Sequence, residues 1–427
     1  MKIILILLDG VGDRSYPALN FRTPLEAART PNMDKLAAMG SNGLYHASAL
    51  GECLPSENAH FMMFGYEREK FPGRGVLEAV GYDIPFNDPD VLCLCHFSKI
   101  KVKNGIPFLF KGRDDVKGTA KETGRLYRLM SSFTSGGVSF KLHQTKRNDG
   151  IIVISGDASP YISDSDPIRK GEKIARIMPV MGNPEPEKAR QTAEALNAYL
   201  AYCRDQLKNS GMSETANYLV TQRCARRIVQ TPFNELWGMR PMMIASSAVY
   251  AGLAHELGFA FVRAKDTGHP GKDMKQRVRL ALDDQDHDFY HVHTKMTDEI
   301  SHHGNAIQKK EIIEDLDSGM NELVDAVSKR KDLLVVVTGD HSTPSDSMLV
   351  HSGESVPVIM AGSKIRRDRV DRFDEISAAG GCLGLMRGRE LMQMMLNSSE
   401  RSMLTGLCLG ETVRPYFPAN YPPFPLK

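Results

Sequence analysis

Two rhythms of apolar and polar positions run along this chain. Ile3 to Leu8 form a continuous apolar run that stops at Asp9-Gly10, the pattern of a strand buried on both faces. Thr30-Pro31 then supplies an N-cap and a proline at the first helical position, and Gly40 closes that helix. A second strand is expected over Leu44–Leu50, and Ser56 leads into a short helix ending at Phe64. The alternation returns late in the chain. Pro241–Ser246 reads as a strand and Ala248–Leu257 as a helix. Phe289–Met296 reads as another strand, followed by a polar loop and a helix from about Ala306 to Lys329. Leu333–Val337 is the cleanest buried strand, and Val356–Met360 is a further one. Strands alternating with helices predict a mostly parallel sheet covered by helices on both faces.

The middle of the chain has a different texture. From about residue 80 to 235 there are short strand candidates, Ile151–Ser155 the best of them, and one long helix, roughly Glu185–Lys208. Asn183-Pro184 starts that helix and Gly211 stops it. The organisation expected is an α/β core formed by 1–79 and 236–427, interrupted by a smaller α/β domain over 80–235. The proline-rich tail from Pro415 is expected to wrap over the surface.

Composition narrows the function classes. With 41% hydrophobic and 25% charged residues the chain is an ordinary globular protein of 427 residues, long enough for more than one structural unit. A formal net charge of +2 gives no global field for nucleic acid or a membrane surface, so neither is expected as a partner. The seven cysteines are scattered and form no CxxC pair, which argues against a disulfide framework or a thiolate zinc site. The apolar N-terminal run is too short for a signal-peptide core or a bilayer span, and no later run reaches membrane length, so a cytoplasmic location is expected. Nothing in the pattern sets an oligomeric state.

The chemistry lies in where acids and imidazoles fall relative to the strands. Asp9 ends the first strand; Asp298 and His302 follow the strand ending near Met296. Asp340 and His341 follow Leu333–Val337, and His351 lies shortly before Val356. In an open parallel sheet, loops at the carboxyl ends of strands converge on one crevice, so these stretches and Ser56 can meet there. Taken singly, each has an ordinary reading: Asp9 as a turn residue, the Asp298/His302 pair as a solvated helix face. Together, carboxylates and neutral imidazoles suit two divalent ions, manganese or zinc before magnesium. Two such ions would clamp a phosphoryl group and make a bound serine hydroxyl a nucleophile.

In order along the chain, Leu8-Asp9-Gly10, Pro55-Ser56-Glu57-Asn58-Ala59-His60, Pro72-Gly73-Arg74-Gly75, the stretch Lys295 to His302 and the stretch Thr338 to Thr343 resemble the alkaline phosphatase superfamily. More narrowly the set is similar to the archaeal-type cofactor-independent phosphoglycerate mutases. Thr23 to Ala28, Thr30 to Asp34 and Ser163 to Pro167 extend the match. The resemblance implies an alkaline-phosphatase-like core with one metal site of Asp298, His302 and His351, and a second of Asp9, Asp340, His341 and the nucleophile Ser56. It implies that Lys295 neutralises the transferred phosphate. The activity implied is interconversion of 3- and 2-phosphoglycerate through a phosphoserine, without bisphosphoglycerate, beneath an inserted domain that closes over the substrate.

The sequence departs from the family in the insertion. A Gly-Arg-Arg stretch stands here as Gly112-Arg113-Asp114, a Glu-His-Arg stretch as Thr145-Lys146-Arg147, and an Arg-Gly-Ala-Gly stretch as Arg223-Cys224-Ala225-Arg226. The surviving Arg113, Arg147 and Arg223 are the candidates for gripping phosphate and carboxylate. Asp164 and Asp166 either hold substrate hydroxyls or cap the turn before Pro167. The expected ligand is a small phosphorylated metabolite. The departures keep open a phosphomonoesterase, a phosphonate hydrolase or another phosphotransferase. A non-catalytic binding protein would have no use for a nucleophile beside two metal shells.

Overall fold

The computed structural model describes residues 1–116, 118–211 and 216–426. The chain divides into two compact units, Met1–Phe71 with Gln230–Lys427 and Pro72–Val229.

In the first unit, eight strands lie side by side in the order Ala260–Arg263, Pro241–Ala245, Phe289–Thr294, Lys2–Leu8, Leu333–Thr338, Val356–Gly362, Gly40–His46 and Gly384–Arg387. Val356–Gly362 runs antiparallel to both its neighbours, and the other pairings are parallel. Lys2–Leu8 sits centrally, and Ile3 to Leu8 are fully buried. Its two faces feed different layers. Ile4, Ile6 and Leu8 join Tyr290 and Val292 in a core completed by Met33, Leu36, Met274, Val278, Ile313, Leu316 and Leu323 from helices. On the other face Leu5 is paired with His291 and Leu7 with His293. There Phe289 and His291 meet Phe64, and Phe233 and Phe259 complete an aromatic cluster. This is the expected sheet, covered by helices on both faces.

Two element boundaries differ from the sequence reading. The strand expected over Leu44–Leu50 is Gly40–His46. Gly40 opens this strand because its neighbour comes very close: a Cβ there would lie 2.3 Å from the Met360 carbonyl oxygen. The helix expected from Ala306 to Lys329 is two helices, Ala306–Ser318 and Asn321–Lys329, separated at Gly319-Met320. The apolar periodicity continues across that break, which is why it reads as one helix.

The second unit carries a six-stranded antiparallel sheet in which Val91–Lys103 pairs with Ile106–Lys111, Asp149–Gly156 and Tyr218–Arg226. Val138–Gln144 and Ser132–Ser135 continue it beyond Asp149–Gly156. The long helix Pro186–Asn209 buries Ala189, Leu196, Tyr199, Leu200 and Cys203 in this unit's own core. No helix among the described residues is long and apolar enough to cross a membrane.

Candidate metal centre and nucleophile

The carboxyl ends of the parallel strands collect the acids and histidines. Asp9 follows Lys2–Leu8 directly, and Asp298 lies in the short helix Met296–Ser301 just past Phe289–Thr294. Asp340 and His341 follow Leu333–Thr338. His351 precedes the antiparallel strand Val356–Gly362, so the start of that strand lies beside the end of Leu333–Thr338, where Thr338 faces Val358. Ser56 is the first residue of the helix Ser56–Met63, reached by a loop from Gly40–His46.

Ser56 Oγ donates to Asp9 Oδ1 at 3.2 Å and lies 3.0 Å from His341 Nε2. His341 Nε2 is 3.2 Å from Asp340 Oδ2 and 3.5 Å from Asp9 Oδ1. Asp9, Asp340 and His341 thus offer one set of converging ligand atoms, and Asp298, His341 and His351 offer an adjoining set. His302 belongs to the same place, with Nε2 3.2 Å from Asp298 Oδ1 and its ring 5.5 Å from that of His351. Lys295 Nζ stands 3.4 Å from Asp298 Oδ2. The core thus brings Asp9, Ser56, Lys295, Asp298, His302, Asp340, His341 and His351 together, with His341 between the two acid groups.

The donor set fits a cation. His351 Nδ1 donates to the Leu54 carbonyl at 2.7 Å, which leaves Nε2 an unshared pair facing Asp298 Oδ1 at 3.4 Å. His341 Nδ1 is engaged by Thr343 Oγ1 at 3.2 Å, and that hydroxyl donates to Asp298 Oδ1 at 2.8 Å. An imidazole whose far nitrogen is so committed presents a lone pair at the near one, the usual metal-ligating tautomer. Asp340 Oδ2 is buried and accepts no hydrogen bond, while Oδ1 accepts from the Gly10 and His341 amides at 3.0 Å each. Lone pairs and carboxylate oxygens converging on a buried point repel one another unless a positive charge sits among them.

The proton affinities follow from this crowding. Burial, then the charge of Asp9, pushes the Asp340 carboxyl well above the usual range. Burial would raise Asp9 as well, but Lys295 and the His293 hydrogen bond hold it below that range. Burial and the neighbouring His351 drive His341 down to about 3, so it stays neutral and available as a ligand. The Asp298 carboxylate outweighs burial at His351 and raises it.

Behind the acids a buried ion pair fixes two of the loops. Lys309, fully buried in Ala306–Ser318, donates to the carbonyls of Gly12 at 3.0 Å and Thr343 at 2.9 Å and to Asp13 Oδ2 at 3.1 Å. Gly10 turns with φ +65°, and a Cβ there would lie 2.5 Å from Thr343 Oγ1. Glu375 accepts from the Asp13 amide at 3.2 Å and from Thr23 Oγ1 at 2.7 Å. Burial pushes its carboxyl from the ordinary 4.5 up to about 7. A folded value above the unfolded one contributes stability below about pH 4.5, and that contribution is lost as pH rises through about 7. Relative to Glu375→Gln, the wild type should therefore lose on the order of 3 kcal/mol across this window. Urea unfolding midpoints of the two proteins that keep a constant separation would contradict the assignment.

The insertion's candidates lie in the second unit. Arg113 forks onto Asp149, Nε to Oδ1 at 2.8 Å and Nη2 to Oδ2 at 2.6 Å. Against the opposing effect of burial, that carboxylate holds the guanidinium above its ordinary value. Asp164 accepts from the Arg223 amide at 2.6 Å, at a left-handed residue (φ +54°) where the strand register shifts. Asp166 accepts from the Ile168 amide at 2.8 Å and from Gln222, and lies 3.4 Å from His96 Nε2. Arg147 occupies an exposed left-handed turn, and the next residue, Asn148, donates to the Arg113 carbonyl at 2.8 Å. The sequence reading did not single out Asp149 or His96. Neither stands in a recognisable motif, and only the strand register of Val91–Lys103 against Asp149–Gly156 makes them partners.

Comparison with known proteins places the chain. The model of the metalloenzyme superfamily matches residues 1–398. The chain is 37% identical to 2,3-bisphosphoglycerate-independent phosphoglycerate mutase 2 of Methanocaldococcus jannaschii, over 98% of each sequence. It is 31% identical to the corresponding mutase of Methanopyrus kandleri, over 94% of this chain and 97% of that one. Among solved structures it is similar to a protein from Pyrococcus horikoshii (TM-score 0.74, 27% identity, 95% and 99% coverage). It is also similar to the cofactor-independent phosphoglycerate mutase of Thermoplasma acidophilum (TM-score 0.62, 28% identity, 93% and 100% coverage).

Proposed function

Because the chain belongs to the metalloenzyme superfamily and, within it, to the 2,3-bisphosphoglycerate-independent phosphoglycerate mutases, we propose that it interconverts 3- and 2-phosphoglycerate through a phosphoserine at Ser56. The observation that carries this reading is the Ser56 hydroxyl at a helix start, 3.2 Å from Asp9 and 3.0 Å from His341, beside two converging ligand sets.

Asp298, His302 and His351 would hold one ion, and Asp9, Ser56, Asp340 and His341 the other. When bound, two divalent ions, manganese in our reading, supply Lewis acidity that favours the serine alkoxide and screens phosphoryl charge. The chain's own groups do the rest. Ser56 Oγ, its proton directed at Asp9 Oδ1, attacks the phosphorus, and the bond from phosphorus to the glycerate oxygen breaks. The positive end of the helix Ser56–Met63 and the Lys295 ammonium favour the transferred anion. The glycerate turns in place, its neighbouring hydroxyl attacks the phosphoserine, and Ser56 is restored. No bisphosphoglycerate enters.

In this proposal the insertion supplies Arg113, Arg147, Arg223, Asp164 and Asp166 to hold glycerate and keeps water off the phosphoserine. The fork already formed between Arg113 and Asp149 favours one second reading, in which substrate is held less tightly and water completes the reaction as a phosphomonoesterase. A cytoplasmic location fits an enzyme of a small phosphorylated metabolite.

Incubation with EDTA should lower the conversion of 3- to 2-phosphoglycerate, followed by an enolase-coupled assay, to background, and added Mn²⁺ should restore it. Release of inorganic phosphate with no isomerised product would replace the mutase by the hydrolase. Activity indifferent to chelation would remove the metal from the mechanism.

A further inference from the structure

The two oxygens of Asp9 have different surroundings. Oδ1 faces Ser56 Oγ and His341 Nε2 at 3.2 and 3.5 Å. Oδ2 is taken by two donors from elsewhere: Tyr250 Oη at 2.9 Å and His293 Nε2 at 3.1 Å. A carboxylate oxygen has two lone pairs, so these two bonds fill Oδ2. Tyr250 comes from the helix Ala248–Leu257, and His293 from Phe289–Thr294 on the aromatic face of the sheet. Their rings lie 4.0 Å apart, and all three side chains are buried.

The main chain restrains Asp9 at the same point. Its amide donates to the Thr294 carbonyl at 3.0 Å, and its carbonyl accepts from Thr297 Oγ1. With backbone and Oδ2 both tied down, the carboxylate cannot swing to offer both oxygens to one ion. The bond to Asp9 also requires His293 to carry its proton on Nε2, consistent with its unpartnered, buried Nδ1.

We infer that Tyr250 and His293 are positioning residues: they fill Oδ2 of Asp9 so that Oδ1 alone is presented to Ser56 and to a divalent cation. This rests on the reading of Asp9 as a metal ligand. Groups that orient a ligand from behind typically change metal affinity by 10- to 100-fold when removed.

The test uses the full-length chain stripped of metal and titrated calorimetrically with Mn²⁺, with metal-free melting followed in parallel. Tyr250→Phe deletes a single oxygen and should fold. It and His293→Leu should each weaken Mn²⁺ binding by about 10- to 100-fold. His293→Gln, which keeps a donor, should recover most of that loss, and metal-free melting of Tyr250→Phe should stay near wild type. At saturating Mn²⁺, kcat should fall while KM for phosphoglycerate holds. Mn²⁺ affinity within twofold of wild type in both Tyr250→Phe and His293→Leu overturns the inference, as does a lowered melting temperature with unchanged affinity. If the affinities shift as expected but the wild type isomerises nothing, the mutase reading fails and the positioning role stands.

Discussion

Ser56→Ala should lower isomerisation by at least about 10⁴-fold, the scale on which enzymes respond to loss of a covalent nucleophile. The substitution removes one oxygen whose polar contacts are Asp9 Oδ1 and His341 Nε2, and it leaves the start of Ser56–Met63 intact. The fold and the sets around Asp298 and Asp340 should therefore persist, so the loss falls on transfer. A second readout separates covalent transfer from mere positioning. Wild-type protein quenched during turnover of phosphate-labelled substrate should carry label on the peptide containing Ser56, and the variant should carry none. A variant retaining activity within tenfold of wild type would exclude Ser56 as the group that receives the phosphate.

The largest effect on stability is expected at Lys309. Its ammonium is fully buried, and its three partners are two main-chain carbonyls and Asp13. Lys309→Met leaves those acceptors without it, and breaking a buried pair on one side costs about 3–5 kcal/mol. Asp13 keeps the Arg14 amide, the Tyr16 hydroxyl and both the amide and hydroxyl of Ser345. These remaining donors put the expectation near about 3 kcal/mol. A denaturant series reporting on the first unit reads the value, and a loss below about 1 kcal/mol would mean that the loops at Gly12 and Thr343 are held by other means. Because Thr343 bridges His341 and Asp298, the same variant should also bind Mn²⁺ more weakly.

Much of the core was legible in the chain because its strands are buried on both faces. Ile3 to Leu8 and Leu333 to Val337 have no polar position to confuse them, and an acid at the end of each marks the edge where ligands gather. Gly40 was harder, because a glycine that stops a helix and a glycine that lets two strands touch look alike until the neighbour is known. Tyr250 left no trace: a tyrosine among alanines, valine and leucines of a helix reads as packing, and its bond to Asp9 spans 241 positions. In the insertion the arginines could be named but not their partners, since Arg113, in the turn after Ile106–Lys111, meets Asp149 at the start of another strand, 36 positions on, rather than through a motif.

The central strand Lys2–Leu8 has as its two neighbours Phe289–Thr294 and Leu333–Thr338. A ribosome adding roughly 5–20 residues per second needs on the order of 15–60 s to bring the first of these out after the central strand has emerged. Throughout that interval the uncharged, β-rich run Ile3–Leu8 has neither neighbour to join, while the residues of the second unit are already available to fold among themselves. Nascent chains halted before residue 289 should therefore engage holdase chaperones through Ile3–Leu8.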